Sequence, residues 1–167
     1  MQISVTRGHI LLQSTAYKAG EIEIVLLGAW FHDTGYTETV EGHEERSAAI
    51  AAGFLGKRGY SADRLSAVEG CILATKVPQK PLNLLEQIVC DADMLFIGRE
   101  KFFHKNDLLK AEMERRSGTV IEQSAWLKRS LAFLEAQGYH TDYCRSQLTQ
   151  GLKQNVETLR MQLAAHG

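Results

Sequence analysis

Glu21-Ile22-Glu23-Ile24-Val25-Leu26-Leu27-Gly28-Ala29-Trp30-Phe31-His32-Asp33-Thr34-Gly35 is the stretch on which the fold turns. Eight of the ten residues from Ile22 to Phe31 are apolar. Their side chains point all round a helical axis, so a central, buried helix is expected over Glu21 to His32. Gly35 is the expected left-handed stop. Two ionisable side chains, His32 and Asp33, close this apolar run. Successive helical residues project about 100° apart, so both can lean towards one point beyond the helix end. A carboxylate and an imidazole sunk in apolar surroundings need a partner, and a cation supplies one. A His-Asp step alone is weak evidence, because the two side chains can also satisfy each other by hydrogen bonding.

Outward from this stretch, helices follow one another without a strand. One is expected from about Thr6 to Ala19, ending at Gly20, and another from Gly42 to Lys57, with Gly59 beyond. A further helix starts at Ser61 and reaches Thr75, where Pro78 and Pro81 enforce a loop. Asn83 with Glu86, and Thr119 with Glu122, have the spacing of capping boxes, with Gly118 and Gly138 as the matching stops. The last helix is expected from about Thr141 towards Leu163. No stretch alternates long enough to argue a strand and no repeat is present, so the expectation is all-α, one domain over residues 1–167.

Composition agrees. The chain has 167 residues, 44% hydrophobic and 23% charged, with a formal charge of −1, so neither disorder nor a basic nucleic-acid or membrane-surface footprint is indicated. Cys71, Cys90 and Cys144 are odd in number and form no CxxC step, so a disulfide framework and a thiolate metal site are both disfavoured. Cys71 and Cys90 sit among apolar residues, as small core side chains do. The amino terminus lacks the plan of a signal peptide, and the longest apolar run is too short to span a bilayer. The cytoplasm is the expected compartment.

Two further clusters join the first. Gly42-His43-Glu44-Glu45-Arg46-Ser47-Ala48 opens the next helix with a second His-carboxylate pair. Cys90-Asp91-Ala92-Asp93 sinks two acids into an apolar helix, about 200° apart around its axis, so one is expected to face the core and the other away. The ordered set of His-Asp, Gly-His-Glu and Asp-Ala-Asp resembles the HD superfamily of metal-dependent phosphohydrolases. It is closest to the small stand-alone bacterial HD-domain proteins, and the likeness runs over nearly the whole chain, including Trp126-Leu127, Phe133-Leu134, Tyr139, Lys153 and Asn155.

The resemblance implies an HD-domain helical bundle, a five-helix core with additional C-terminal helices and a divalent metal held between helices. It does not choose among Mn, Fe, Mg, Zn, Co or Ni. His32 and Asp33 match the motif for which the superfamily is named, and Asp93 matches the later metal ligand, which leaves Asp91 structural. His43 and Glu44 match a pair near the metal that binds phosphate or a second ion, with Asp33, His43 and Glu44 as the catalytic set. Lys76 and Arg99 are candidate phosphate contacts. The departure is at the first ligand. Where the family pattern has His followed by Thr, this chain has Val5-Thr6, and His9, one turn later, is the histidine at hand. The expected first helix is therefore shortened. His104, His140 and His166 are read as local structure. The implied activity is phosphoester hydrolysis of a small, nucleotide-like substrate by metal-activated water, and no Ser-His-Asp ordering or Gly-rich phosphate loop competes with it. The rival readings are a non-catalytic metal- or nucleotide-binding regulatory module, and a purely structural helical protein. Nothing in the residues chooses the phosphoester or the oligomeric state.

Overall fold

The computed structural model describes residues 17–166. His9 and the expected first helix up to residue 16 therefore lie outside the described residues, and Ala19, its expected last residue, instead opens the next helix. Among the described residues the chain is α-helical and contains no strand. The helices are α1 (Ala19–Phe31), α2 (His43–Gly56), α3 (Ala62–Leu73), α4 (Leu84–Met94), α5 (Lys101–Ser117), α6 (Gln123–Glu135) and α7 (Asp142–Ala165), with short 3-10 turns at Thr34–Thr37 and Leu95–Gly98. No described helix is long and apolar enough to cross a membrane.

Two compact units divide the chain. One holds residues 17–94 together with His140–Tyr143; the other holds Leu95–Tyr139 and the residues from Cys144 onward. In the first unit α1, α2 and α3 pack around Phe31, Ala48, Ala51, Leu55, Val68 and Ile72, with Ile24, Leu27, Ile50, Tyr60 and Leu65 covering them, and α4 packs against α1 and α3. The central-helix expectation for α1 holds only on one side. Val25, Gly28, Ala29 and Phe31 are buried, but Trp30 is 49% exposed. An apolar run around a whole helix marks how much could be buried, and neighbours on one side decide how much is.

Several boundary expectations need correction. Gly20 lies inside α1 rather than ending a helix. The span from Asn83 to Gly118 is not one helix: it breaks at Leu95–Gly98. A side chain on Gly98 would meet the Leu148 carbonyl and the Tyr139 hydroxyl at 2.6 Å, so the second unit closes over bare backbone there. Asn155 fastens the break by donating from Nδ2 to the carbonyls of Ile97 (2.7 Å) and Arg99 (3.1 Å). The expected box at Thr119 is displaced: Glu122 itself caps α6, accepting from the backbone N–H groups of Ser124 (2.9 Å) and Ala125 (2.8 Å). An acid at the cap also meets the positive end of the helix dipole, which a Thr cannot do. Gly118 ends α5 in the left-handed region as expected, whereas α6 stops at Ala136 before Gly138 is reached. The Asn83–Glu86 box forms: Glu86 N–H donates to Asn83 Oδ1 (3.1 Å), Asn83 Nδ2 donates to Glu86 Oε1 (2.7 Å), and Leu82 N–H donates to Glu86 Oε2 (2.6 Å).

Asp91 is fully buried and accepts from the N–H of His140 (2.8 Å), the N–H of Thr141 (2.8 Å) and the Thr141 hydroxyl (2.6 Å). A carboxylate with three donors retains most of the solvation that burial removes. Cys71, Cys90 and Cys144 are free and buried. Burial pushes the Cys71 thiol up to about 12 and raises that of Cys90 as well, so neither is a thiolate. Replacing Asp91 by Ala strips the acceptor from two backbone N–H groups and is expected to lower unfolding free energy by about 2 kcal/mol in urea titrations. A loss under about 0.5 kcal/mol would show that solvent serves those groups equally well.

Candidate functional site

The end of α1 meets the start of α2 at a close backbone contact. A Cβ on Gly35 would lie 2.1 Å from the His43 carbonyl and 2.9 Å from the Ser47 nitrogen. Gly35 is thus required by proximity and not by a left-handed conformation, since its φ is not positive; the positive-φ glycine here is Gly42, before α2. Gly35 N–H donates to Ser47 Oγ at 2.8 Å, and Ser47 is fully buried. Arg46 forks onto Glu38, Nε to Oε2 at 2.6 Å and the terminal nitrogen to Oε1 at 2.7 Å. These contacts fix the segment that carries His32 and Asp33 against the turn that carries His43 and Glu44.

Each histidine is oriented by its own backbone. His32 Nδ1 lies 3.0 Å from the Ala29 carbonyl, and His43 Nδ1 lies 3.1 Å from the Val40 carbonyl. A carbonyl oxygen only accepts, so both Nδ1 atoms carry hydrogen and both Nε2 atoms face the site. His32 Nε2 is 3.2 Å from Asp33 Oδ2 and 3.5 Å from Asp93 Oδ1. His43 Nε2 is 3.9 Å from the other oxygen of Asp33, Oδ1. Glu44 Oε2 is 3.2 Å from His43 Nδ1, and Glu44 is buried. The Asp33 carboxylate therefore stands between two imidazole nitrogens, its side chain 55% exposed.

Burial works to lower the pKa of His32, but the Asp33 and Asp93 carboxylates overcome it and push the imidazole up to about 10. Desolvation raises the Asp33 carboxyl, and the His32 and His43 rings more than reverse this, holding it below the ordinary range. A proton on His32 Nε2 thus sits where two carboxylates converge, the position a cation would take. One imidazole nitrogen with two carboxylate oxygens is a donor set suited to a divalent metal with open positions. Second-sphere support is present too, since a metal-binding imidazole commonly donates its other N–H to a carbonyl, as His32 does to Ala29. Among the described residues, however, no group of three or more His, Cys, Asp or Glu side chains is placed so that it could hold a metal ion as it stands.

The structure brings together His32, Asp33, His43, Glu44 and Asp93, all from the first unit. Asp91 is drawn away by His140 and Thr141, as the structural member of its pair. Lys76, also in this unit, bridges to Glu45 of α2, which holds its ammonium pKa above the ordinary value. Arg99 belongs to the second unit, where it lines a groove of about 400 Å³ with Lys101, Gln154 and Asn155. Of the remaining histidines, His140 faces Gln79 Oε1 at 3.2 Å and His166 faces the Gln162 carbonyl at 2.8 Å, while His104 is exposed on α5. Two residues went unread in the sequence. Tyr36 stacks on His43 with ring centroids 3.6 Å apart and planes 22° from parallel, and Glu45 holds Lys76. Neither carries a motif; only the tight turn at Thr34–Thr37 brings Tyr36 over the next helix. Among known proteins, no family model, no curated sequence and no solved structure matches this chain.

The shift of His32 has a direction in pH. The folded metal-free protein binds this proton more tightly than the unfolded chain, whose His titrates near 6.5. The stability it contributes is complete below that value and is lost as pH rises through about 10. Metal-free protein should therefore lose unfolding free energy across this window, and His32→Gln should flatten the decline. Identical pH slopes for the two proteins would contradict the assignment.

Proposed function

We propose that this chain is a metal-dependent phosphohydrolase of the HD type, acting on a small, nucleotide-like phosphoester. The observation that carries the reading is the convergence of Asp33 and Asp93 on His32 Nε2, at 3.2 and 3.5 Å. His32, Asp33 and Asp93 would hold the cation, with His9 as the candidate further ligand. The chemistry supplied at that position by a bound divalent cation would be Lewis acidity towards a phosphoryl oxygen and a lowered pKa for water.

The remaining work falls to side chains of the chain itself. The 3.9 Å between Asp33 Oδ1 and His43 Nε2 is a gap that one bridging water fits. His43 Nε2, left as the acceptor by its Nδ1–H, takes a proton from that water as it attacks phosphorus. Glu44, beside Nδ1, stabilises the imidazolium that forms, and the same proton can then pass to the leaving oxygen. Lys76 offsets phosphate charge by exchanging Glu45 for a phosphoryl oxygen. Both partners of that ion pair are about half exposed, which makes the exchange cheap.

A second reading, a metal- or nucleotide-binding regulatory module without turnover, is favoured by one observation: Val5-Thr6 stands where the family pattern has its first histidine. Metal analysis by mass spectrometry, with phosphate release assayed across nucleoside mono-, di- and triphosphates, separates the two. On the hydrolase reading, Asp33→Ala and Asp93→Ala each lower metal affinity and phosphate release at least ~100-fold, more than loss of a second-sphere partner does. His43→Gln keeps the metal and loses release ~100-fold, the scale of general acid–base catalysis. Full metal occupancy in Asp33→Ala counts against the site, and bound metal without release in the wild type favours the module.

A further inference from the structure

Within the second unit the turn Leu95–Gly98 and α7 meet backbone to backbone. A Cβ on Gly151 would lie 2.1 Å from the Gly98 carbonyl oxygen. Beside this contact runs the groove of about 400 Å³, whose walls carry Arg99, Glu100, Lys101, Gln154 and Asn155. All of these residues belong to the second unit. Arg99 and Lys101 are exposed, and among the described residues neither side chain has an ion-pair or hydrogen-bond partner. Glu100, the one acid of the lining, pairs with neither, so the groove keeps a net positive charge. Asn155 is 7% exposed, and both hydrogens of its Nδ2 are spent on the carbonyls of Ile97 (2.7 Å) and Arg99 (3.1 Å). The group that this amide leaves for a ligand is its Oδ1 acceptor. That oxygen is not sealed in: the sealed side-chain atoms without a partner among the described residues are Gln79 Nε2 and Trp126 Nε1.

We propose that this groove binds a small hydroxylated phosphomonoester, its phosphate held by Arg99 and Lys101 and a hydroxyl of its organic part donating to Asn155 Oδ1. The inference does not rest on the hydrolase reading above, because none of these side chains belongs to the first unit. Charge chooses the anion. A phosphomonoester carries about −1.5 to −2 near neutral pH, which matches two unpaired cations, whereas a carboxylate would leave one of them over. Arg99 offers a planar fork and Lys101 a point charge, the two ways in which side chains grip phosphate. The amide chooses the rest of the ligand. An anion alone would set a negative oxygen against Asn155 Oδ1, and a hydroxyl beside the phosphate gives that acceptor a donor. A groove of about 400 Å³ suits a molecule of sugar-phosphate size. The frame is set in advance, since Asn155 holds the backbone on both sides of Gly98 and so fixes where Arg99 begins. The first turn of α5 stands in the same wall, and its dipole adds to the attraction without being needed for it.

The test titrates ribose 5-phosphate calorimetrically into the full chain carrying Asp33→Ala and stripped of divalent metal by chelation, at constant ionic strength. That background removes metal-dependent binding at the His32–Asp33–Asp93 cluster, and chelator-stripped wild type serves as a second background. In both, Arg99→Gln and Lys101→Gln are each expected to weaken binding ~10-fold, the worth of one hydrogen bond to a charged group. Ribose, which lacks the phosphate, is expected not to bind. Methyl phosphate, which lacks the hydroxyls, is expected to bind ~5-fold more weakly than ribose 5-phosphate. Unfolding midpoints are measured on the same samples, and both substituted side chains are exposed and unpaired, so folding is retained. No binding of ribose 5-phosphate, or undiminished affinity in the double variant Arg99→Gln, Lys101→Gln, overturns the site. Ribose binding as tightly as its phosphate, or methyl phosphate as tightly as ribose 5-phosphate, overturns the ligand class. Failure of the hydrolase reading shows separately, as absent phosphate release from metal-loaded wild type, and leaves binding in these metal-free backgrounds unchanged.

Discussion

Everything at the candidate site depends on how closely the backbone after α1 approaches the first turn of α2. Gly35 lies so near His43 and Ser47 that any side chain there would collide with backbone. Because two main chains meet directly, the carboxylate of Asp33 comes between two imidazoles that belong to different helices. The approach is secured by one buried hydrogen bond, Gly35 to Ser47, and by an exposed ion-pair fork, Arg46 to Glu38. The buried bond carries most of the constraint, since exposed ion pairs are weak and salt-sensitive while a buried N–H without an acceptor is costly.

The orientation of the two histidines follows from the same economy of local contacts. Each ring is tied by Nδ1 to a carbonyl three residues earlier, a bond that needs no distant partner. The chemistry-bearing nitrogen is then aimed by chain geometry alone. With His32 protonated, the imidazolium satisfies Asp33 and Asp93. On the proposed reading, a cation would take that proton's place and the same three side chains would be its ligands. Such an exchange of a proton for a metal ion would link occupancy of the site to pH.

Much of this was legible in the sequence, and the part that was not has a physical cause. His32 and Asp33 were marked because an acid and an imidazole at the end of an apolar run demand partners, and His43, Glu44 and Asp93 because the order of the motifs resembles that of the HD superfamily; the fold brings all five together. The separation of Asp91 from Asp93 also follows from helical phase. The break before Gly98 and the displacement of the α6 cap to Glu122 did not follow, because close backbone packing between distant segments decides them. Trp30 was misjudged for a related reason: an all-apolar helix does not say which side its neighbours leave open. Tyr36 and Glu45 were invisible because their significance lies in what the turn sets them against. The metal and the reaction rest on motif order and convergence, and the groove beside Arg99 has no counterpart in the sequence pattern.

The three hydrogen bonds received by Asp91 also close a long loop. His140 is 49 residues further along the chain, so one carboxylate clasps two segments that the unfolded chain rarely brings together. Closing a loop of that length costs about 3 kcal/mol of chain entropy in its length-dependent part. That cost hardly changes when the loop is lengthened or shortened by a few residues, because it grows only with the logarithm of length. The clasp thus holds together the two ends of the stretch from Leu95 to Tyr139, on the same helix as Asp93.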